Sequence, residues 1–599
     1  MKKETPIELK RHSLAHVMAA AVANLYPGAK FGVGPIIDNG FYYDIDLPEQ
    51  LSPDDLKKIE KEMIRLINQK LAFELEELPI KKAIEFFTKQ KQDYKIELLN
   101  DLQQKGTTRI SEEEAQDLDP KQKDKVTIYK TGDFTDLCRG PHVDTTEQLQ
   151  NCAFSLDRIA GAYWRGDEKN KQLTRIYGLA FNSKKELSEY KHNLELAKER
   201  DHRKIGKELG LFHISPEVGA GLPLWTPKGT TIRRELEKFL TELQEKDGYD
   251  QVITPHIGKI DLYKTSGHWQ NYRENIYSPM NIDGEEFVLK PMNCPHHIHI
   301  YSSQMRSYRD LPIRLSEFGT VYRYEQSGEL TGLVRARGFT IDDAHIFCRT
   351  DQIKEEFSNV IELIKTVFST LKFKDFEARI GLRDPKSSKY VGSDELWERA
   401  EKEIEEVVKS KKVKYIKQEG EAAFYGPKLD FVVRDVINRE WQLGTIQVDY
   451  NLPERFKLVY KGADDKDHRP VMIHRAPFGS MERFVGIMIE HFGGAFPTWL
   501  SPTQVYVIPV GKDHFKFSEE LGKSLKAQGI RTEVDLNRET VGYKIRKAEK
   551  LKVSYMLVIG DKEVKDKDLT VRARGSKDTK QMKQEEFVEK IQKEIKERK

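Results

Sequence analysis

The sequence predicts a multidomain protein of the α+β class, in which one large antiparallel sheet is flanked by helices. The chain has 599 residues, too many for one hydrophobic core, and at about 100 to 200 residues per domain it should form three or four domains. Strand-like runs in its middle are linked by hairpins, which favours an antiparallel sheet over a doubly wound parallel one. The last hundred or so residues alternate strand and helix, which predicts a small α/β domain.

The first part of the chain is predicted to form its own domain. Residues 1–182 combine helical segments with strand-like runs such as FGVGPIIDNGFYYDI and LTRIYGLAF, which indicates an α+β domain. Residues 183–210 are densely charged, with leucines along one stripe. That pattern predicts a connecting helix on the surface.

The largest domain is predicted over residues 211–500. It contains an extended run at Val252 to Pro255, a hairpin within residues 321–347, and the strand runs FVVRDV and WQLGTIQVDY. A Ser-Pro pair, which favours a turn, marks the next boundary. Residues 501–599 then form the predicted α/β domain.

The composition limits the possible functions. There are 100 Lys and Arg against 97 Asp and Glu, a net charge of +3, so any RNA contact must be local rather than driven by a general positive charge. Residues 501–599 hold 24 basic and 17 acidic side chains and are the basic region. Four widely spaced cysteines fit a reducing cytoplasm better than a disulfide framework. The helical N-terminal pattern and the lack of long apolar runs predict neither a signal peptide nor a membrane span.

The segment VYRYEQSGELTGLVRARGFTIDDAHIF carries charges suited to a nucleotide. Arg323 and Glu325 lie two residues apart and would share one face of a strand. A long loop then leads to Arg335, which can fold back over a ligand. Arg483 begins an apolar helix, and a buried arginine needs an anionic partner, either a phosphate or a structural carboxylate. Because the planar guanidinium binds phosphate oxygens in pairs, the three arginines are candidate phosphate clamps.

Two groups of His and Cys side chains indicate metal or acid–base chemistry. Cys294, His345 and His474 are each predicted at a strand or its edge, and they are candidate zinc ligands. In the N-terminal domain two histidines lie four apart on one helix face, and a cysteine and a third histidine flank a Gly-Pro turn that is predicted to end a helix. The sequence alone leaves open whether this second group is a closed zinc site or an acid–base site; it consists of His12, His16, Cys138 and His142.

These motifs resemble the signatures of class II aminoacyl-tRNA synthetases. Pro255 in VITPHI matches the first signature, Arg323 and Glu325 match the second, and Arg483 in GSMERF matches the third. The runs LKPMNCPHH, DDAHIF and VMIHRAPFGSMERF are similar to those of threonyl-tRNA synthetases in particular. The resemblance covers essentially the whole chain.

The resemblance implies a homodimer that uses ATP, with Mg²⁺, to activate threonine as an adenylate and transfers it to the 3′ end of tRNA(Thr). It also implies that Cys294, His345 and His474 hold a zinc ion that binds the amino group and hydroxyl of threonine. Valine lacks that hydroxyl and should be rejected strongly. Serine lacks only a methyl group, worth roughly 1 to 3 kcal/mol. A second, hydrolytic site that removes serine from tRNA is therefore expected.

Further residues carry over from the family motifs. The implied amino-acid and adenylate pocket consists of Met292, Asp343, Tyr425, Lys428, Gln442, Gln447 and Ser480. The implied editing site, for which the family requires no metal, consists of His12, His16, Asp136, Cys138 and His142. Two side chains in the C-terminal domain match anticodon-reading positions: Glu563 and Arg572. A carboxylate can accept a hydrogen bond from a base amino group, and an arginine can donate hydrogen bonds to a guanine edge.

The sequence departs from the family pattern in two places. The HSLAH motif begins at residue 12, so the small N-terminal domain that is usual in the family is expected to be missing. Ile341 stands where many members have glutamine, which affects expected contacts to ATP or the tRNA end. Three alternatives remain: a non-catalytic regulatory RNA-binding protein, a class II enzyme for serine or proline, and an editing-only factor. The intact zinc and arginine candidates argue against the first, and the clamps argue against the last.

Overall fold

The computed structural model describes residues 6–105, 125–167, 169–373, 376–387, 389–435 and 439–599. The chain divides into two compact units, Met1–Glu195 and Leu196–Lys599. None of the helices in the described ranges is long and apolar enough to cross a membrane. The three boundaries between the four segments inferred from the sequence remain predictions.

The first unit consists of helices packed on two antiparallel sheets. Its helices are Pro6–Leu25, Pro53–Asn68, Ile80–Lys89 and Asp93–Lys105, and Lys184–Arg200 begins in it. The larger sheet has the strand order Lys30–Phe31, Gly40–Asp46, Gln172–Phe181 and Ala153–Tyr163, with Ile36–Ile37 paired to Gly40–Asp46. The smaller sheet has the order Glu74–Pro79, Lys125–Thr131 and Phe134–Leu137.

The first helix lies in the core of this unit. Residues 14–22 of its alanine-rich run are at most 3% exposed, and they pack with Phe41, Ile45 and Met63 in one hydrophobic cluster. Small alanine side chains let the helix approach its neighbours closely. This burial also fixes the direction of the histidines on the same helix, and it confirms the helical interpretation of the N-terminal sequence.

The second unit begins with a helix that was predicted as part of the connecting segment. The predicted connecting helix is two helices, Lys184–Arg200 and His202–Leu209. Asp201 lies between them, accepts a hydrogen bond from the Arg203 amide and caps the second helix. The other helices that surround the central sheet are Pro227–Lys246, Ile260–Ser266, His268–Asn271, Cys294–Ser302, Ile353–Thr370, Asp394–Ser410, Asn451–Arg455 and Met481–Phe492.

The central sheet has eight strands and carries two of the predicted zinc ligands, His345 and His474. The strand order is Asp250–Gln251, Ile313–Tyr322, Gly338–Cys348, Val471–Ala476, Glu440–Asp449, Lys428–Arg434, Phe376–Leu382 and Tyr415–Glu419. Only the two outermost pairings are parallel; the others are antiparallel. The predicted antiparallel sheet with flanking helices is confirmed. Three small sheets lie beside it: Phe212–His213 with Leu224–Trp225; Ile257–Lys259, Glu285–Leu289 and Met280–Ile282; and Tyr460–Lys461 with Asp467–His468.

The C-terminal region is a five-stranded mixed sheet with helices. Its strand order is Thr532–Val534, Val505–Pro509, Tyr555–Ile559, Asp568–Ala573 and Thr579–Lys583. The first three strands are parallel, as the alternation of strand and helix predicted. Two further antiparallel strands were missed because their sequence is strongly charged. The helices are Phe515–Ala527, Val541–Lys550, Asp561–Asp566 and Gln584–Lys596.

Several local predictions were wrong. The hairpin strand ends at Tyr322, and the Glu325 amide donates to the Arg323 carbonyl at 2.9 Å, so the chain turns before Glu325. Cys294 begins a helix, with Pro295 in its first turn, rather than lying at a strand. Cys138 follows the strand Phe134–Leu137 and ends no helix. The run from Val252 to Pro255 follows a two-residue strand and is not itself one.

Candidate active sites

The three predicted zinc ligands meet at one buried point of the central sheet. Cys294, His345 and His474 are 5%, 1% and 8% exposed, and one ligand atom from each lies within 4.8 Å of the other two. The two histidines are directly opposite each other on the neighbouring strands Gly338–Cys348 and Val471–Ala476. The first turn of the helix Cys294–Ser302 brings the thiol to them.

The contacts of His474 determine which of its ring nitrogens can bind a metal. Its Nε2 lies 2.9 Å from Oδ2 of the buried Asp449. The other oxygen of that carboxylate accepts the amides of Asn451 and Leu452 at 2.7 and 2.9 Å. Because the carboxylate is the acceptor, His474 donates from Nε2 and keeps a lone pair on Nδ1.

The site has the composition of a functional zinc centre. Burial raises the pKa of the Cys294 thiol well above its usual value and lowers the pKa of His345 well below its usual value, so without a cation these two ligands stay neutral. A bound divalent ion would favour the thiolate instead. One sulfur and two imidazole nitrogens fit zinc and leave a fourth position open. His268, which the sequence analysis missed, places its Nε2 3.9 Å from the Cys294 sulfur.

Predicted pocket residues surround this cluster. Asn293 donates to the Asp343 carboxylate at 3.1 Å, and burial raises the pKa of Asp343. The Tyr425 hydroxyl donates to Gln447 at 2.5 Å, and its ring centre lies 5.2 Å from that of His474. A tyrosine and an amide beside the open metal position can orient a small polar substrate.

A bulge places the remaining strand residues on the same face. Lys428 and Gln447 are directly opposite, and Gln447 is opposite His474 on its other side. Between the pairs Asp430–Thr445 and Val432–Gln442 the second strand has one extra residue. Gln442 therefore shares the face of Gln447 although the two are five residues apart. Lys428 is held by Asp430 at 2.8 Å.

Two of the three predicted phosphate clamps are partly buried arginines that have no carboxylate partner among the described residues. Arg323 donates to the Met292 sulfur at 3.2 Å and to the Pro291 carbonyl at 3.4 Å, and Arg483 leaves its buried Nε without a hydrogen bond. Neither forms an ion pair within the part of the chain that the structure describes. Burial lowers the pKa of both. Uncompensated buried guanidinium groups favour the binding of an anion.

The third clamp is held in the loop between the two hairpin strands. Arg335 contacts Glu325 at 2.8 Å and Glu329 at 2.9 Å. The loop is fixed at Leu333, whose amide donates to Nε2 of the buried His202 at 3.1 Å. His202 donates from Nδ1 to Glu490 at 2.7 Å. Asp201, His202 and Glu490 have the spacing of a metal site. Both ring nitrogens of His202 already make hydrogen bonds, so this histidine holds the loop in place instead.

Ser480 connects the sheet to the helix that carries Arg483. Its hydroxyl accepts the Arg483 amide at 3.3 Å and caps the helix Met481–Phe492. A backbone bridge joins Ser480 to Ile341. The Ile341 position therefore lies directly beside the start of this helix.

In the first unit, three of the predicted editing residues also form a His/Cys cluster. The Cys138 sulfur lies 3.2 Å from Nε2 of His12 and 3.3 Å from Nε2 of His142. The other ring nitrogens contact neutral oxygens. His12 Nδ1 lies 3.2 Å from the Pro141 carbonyl, and His142 Nδ1 lies 3.2 Å from the Ser13 hydroxyl.

These contacts set the tautomers of both histidines. A carbonyl can only accept, so His12 donates from Nδ1. The Ser13 hydroxyl donates to the Leu9 carbonyl at 2.9 Å, so it accepts from His142. Both Nε2 atoms therefore carry lone pairs that face the thiol. Burial raises the pKa of that thiol, Cys138, to about 12.

His16 and Asp136 lie close to this cluster. His16 is 3% exposed, its Nε2 has no hydrogen-bond partner, and burial lowers its pKa to about 3. Its ring centre is 5.1 Å from that of His142. Asp136 forms a buried ion pair with Lys95 at 2.5 Å and accepts the Tyr43 hydroxyl. The sequence analysis missed both partners, which come from distant elements without a motif.

Three family models match separate parts of the chain. The model "tRNA synthetase class II core domain (G, H, P, S and T)" matches residues 277–492. "Threonyl and Alanyl tRNA synthetase second additional domain" matches residues 126–177, and "Anticodon binding domain" matches residues 504–594.

Whole-chain relatives narrow the assignment. The "Threonine--tRNA ligase" of Porphyromonas gingivalis is 54% identical over 589 residues, which cover 98% of this chain and 87% of the relative. The chain belongs to the threonine–tRNA ligases. The ligase of the same name from Deinococcus deserti is 53% identical over 574 residues, 95% of this chain and 85% of the relative. The solved "RNA binding domain of Threonyl-tRNA synthetase from Cryptosporidium parvum Iowa II" has a TM-score of 0.63 and 37% identity, covering 66% of this chain and 98% of that one.

As a threonine–tRNA ligase, the protein joins threonine to tRNA with ATP, which enters with Mg²⁺. The family prediction, the fold and the enzyme class are confirmed, and the matched additional domain is consistent with editing. This finding excludes the regulatory, editing-only and serine or proline alternatives as the main activity. The roles of individual residues stay predictions.

The predicted anticodon residues of this ligase have intramolecular partners. Glu563 accepts the Gly560 amide at 2.8 Å and the Thr570 hydroxyl at 2.5 Å. Arg572 donates to the Ser576 carbonyl at 2.7 Å and pairs with Glu549 at 2.6 Å. Base contacts at these positions would replace or share these hydrogen bonds.

Proposed function

We propose that the ligase selects threonine at a zinc site formed by Cys294, His345 and His474. The convergence of these three side chains at one buried point supports the proposal most directly. When bound, zinc supplies a Lewis-acid site for the amino group and hydroxyl of threonine. Tyr425, Gln447 and Asp343 line the same place and orient the amino acid by hydrogen bonds.

Three arginines are proposed to position ATP. Arg323 stabilises charge at the α-phosphate, while Arg335 and Arg483 hold the outer phosphates, which Mg²⁺ bridges. Among the described residues neither Arg323 nor Arg483 pairs with a carboxylate, which supports this assignment. Arg335 must exchange its contacts with Glu325 and Glu329 for phosphate oxygens. Removing one such donor costs about 10² to 10³ in rate, so we expect Arg323→Ala to lose adenylate formation by this factor while zinc affinity is unchanged.

The first unit is proposed to hydrolyse seryl-tRNA. His12 and His142 contact Cys138, and the His16 ring lies beside that of His142. Burial lowers the pKa of His16 and of His142, and an imidazole that stays neutral can accept a proton from water. The buried ion pair between Lys95 and Asp136 supplies fixed charges beside them. This arrangement supports acid–base hydrolysis. The proposed readers of the anticodon are Glu563 and Arg572.

The ligase is also proposed to act as a homodimer in the cytoplasm. Ile257, Met280 and Ile282 lie on one face of a three-stranded sheet and are 39–43% exposed. Nearby in sequence, Ile253 is 95% exposed. An apolar face of this kind favours a partner subunit. Reduced thiols at Cys294 and Cys138 fit a reducing compartment. A fully active monomer in sedimentation would contradict the dimer.

ATP–pyrophosphate exchange with threonine, serine and valine tests the proposed selection. We expect strong exchange with threonine, weaker exchange with serine, almost none with valine, and loss of exchange after zinc removal that added zinc restores. Exchange with threonine that survives complete zinc removal would contradict the zinc proposal. The family assignment does not depend on that outcome.

A further inference from the structure

One predicted zinc ligand, His345, is backed by a second histidine rather than by a carboxylate. Its Nδ1 lies 2.8 Å from Nδ1 of His297, and the two rings are nearly perpendicular, at 89°. His297 in turn places its Nε2 3.2 Å from the Glu317 carboxylate. We refer to His345, His297 and Glu317 as the His–His–Glu chain. All three are at most 6% exposed.

We propose that His297 and Glu317 fix the tautomer of His345 and so set how tightly the cluster binds zinc. This inference rests on the zinc site proposed above. The two residues would be positioning residues, since neither touches the metal or the threonine. They lie outside the set of site residues that the sequence motifs identified.

The donor in each hydrogen bond of the His–His–Glu chain follows from the Glu317 carboxylate at its end. Glu317 can only accept, so His297 donates from Nε2, and a neutral His297 then keeps a lone pair on Nδ1. The two Nδ1 atoms share one proton, which must therefore belong to His345. His345 is left with a lone pair on Nε2, the nitrogen available to a metal. The opposite direction would put a proton on that Nε2 and abolish its use as a ligand.

Glu317 is held in place as an acceptor by further buried groups. The amide and the hydroxyl of Thr254 both donate to it, at 2.8 and 2.9 Å. The ammonium of Lys290 lies 3.6 Å from Glu317 and donates to the Thr254 hydroxyl at 2.7 Å. Burial alone would raise the pKa of Glu317, but hydrogen bonds from His297 and Thr254 and the charge of Lys290 lower it overall. The carboxylate thus stays ionised.

His297 lies on the same helix as the predicted zinc ligand Cys294. It lies three residues after Cys294 on the helix Cys294–Ser302, so the same helix turn brings the thiol and the supporting imidazole to the site. His474 on the other side reaches Asp449 directly. The two metal-binding histidines would therefore each depend on a buried carboxylate, one directly and one through His297. Such outer partners typically change metal affinity by about 10- to 100-fold.

A purely structural role for this buried network is the alternative, because buried ion pairs also occur without a function. Zinc affinity separates the two. The full-length protein, stripped of metal, is titrated with zinc against a chromogenic chelator. His297→Phe keeps the ring volume and removes the acceptor, and we expect it to weaken zinc binding about 10- to 100-fold. His297→Asn can still present a carbonyl oxygen to His345, and we expect an affinity nearer to that of the wild type.

Two further variants complete the experiment. His299→Phe, an exposed position on the same helix, is the matched control, and we expect wild-type zinc affinity. Glu317→Gln loses the charge but keeps the shape; it decides the outcome if His297→Phe does not fold, as judged by thermal unfolding of the metal-free protein. Wild-type zinc affinity in His297→Phe would contradict the proposed role of the His–His–Glu chain but not the zinc site itself. If His297→Phe does not fold, wild-type zinc affinity in Glu317→Gln would have the same meaning. An absence of zinc binding in the wild type would overturn the zinc proposal as well.

Discussion

The two His/Cys clusters offer the same three ligands, one thiol and two imidazoles, in different surroundings. In the catalytic cluster Cys294, His345 and His474 are all buried, and each imidazole is backed by a chain that ends in a carboxylate. In the editing cluster the imidazoles of His12 and His142 are backed by a carbonyl and a hydroxyl. The Asp136 carboxylate, which acts on His142 through its charge, is already paired with Lys95.

This difference supports the proposal that the groups behind the ligands, rather than the ligands themselves, separate a metal site from an acid–base site. A carboxylate behind an imidazole makes it a stronger ligand and helps to balance the charge of a divalent ion. A neutral oxygen fixes the tautomer but supplies no such charge. The catalytic cluster is therefore suited to hold zinc, and the editing cluster is suited to move protons on and off water.

The largest expected effect separates the two thiols. Cys294→Ser should reduce threonine-dependent ATP–pyrophosphate exchange to background, because the zinc site loses its only sulfur ligand. Cys138→Ser should leave the exchange unchanged. Equal loss of exchange in both variants would contradict the division of roles.

The next effect concerns clearance of serine. His16→Ala or Cys138→Ala should slow hydrolysis of seryl-tRNA by about 10² to 10⁴, the usual range for a general acid or base, so mischarged tRNA accumulates while threonine charging persists. The measurement is deacylation of preformed seryl-tRNA. Clearance of serine at the wild-type rate in both variants would remove the cluster from the editing reaction.

A smaller effect should appear in the pH dependence of stability. Burial lowers the pKa of His16 from its usual value near 6.5 to about 3. The unfolded chain therefore binds a proton that the folded chain excludes, and stability is lost as the pH falls below about 6.5. At pH 5 the loss for one such group is about 2 kcal/mol. Thermal unfolding from pH 7 to pH 5 should shift less in His16→Phe than in the wild type, and an identical shift would contradict neutral burial.

The sequence predicted the ligands of both clusters but not their supporting groups. Cys294, His345 and His474 lie in motifs, so their type and family pattern identified them. Asp449, Glu317 and Lys95 come from elements that meet only in the folded chain and have no local signal. Which of these supporting groups reach the ligands depends on packing between distant segments.

Local geometry also departed from simple periodicity at the sites. The strand that leads to Arg323 ends early because the chain turns at Tyr324 to begin the nucleotide loop. One extra residue in a strand places Gln442 on the face of Gln447, which strict alternation would not predict. The sheet class followed from hairpin patterns, whereas such irregularities follow from tertiary contacts.

The zinc content of the purified protein tests the central claim most directly. Metal analysis of the wild type, Cys294→Ser and Cys138→Ser, after dialysis against a weak chelator, would count tightly bound zinc per chain. The account predicts one zinc in the wild type and in Cys138→Ser, and none in Cys294→Ser. Zinc that is retained in Cys294→Ser but lost in Cys138→Ser would contradict it.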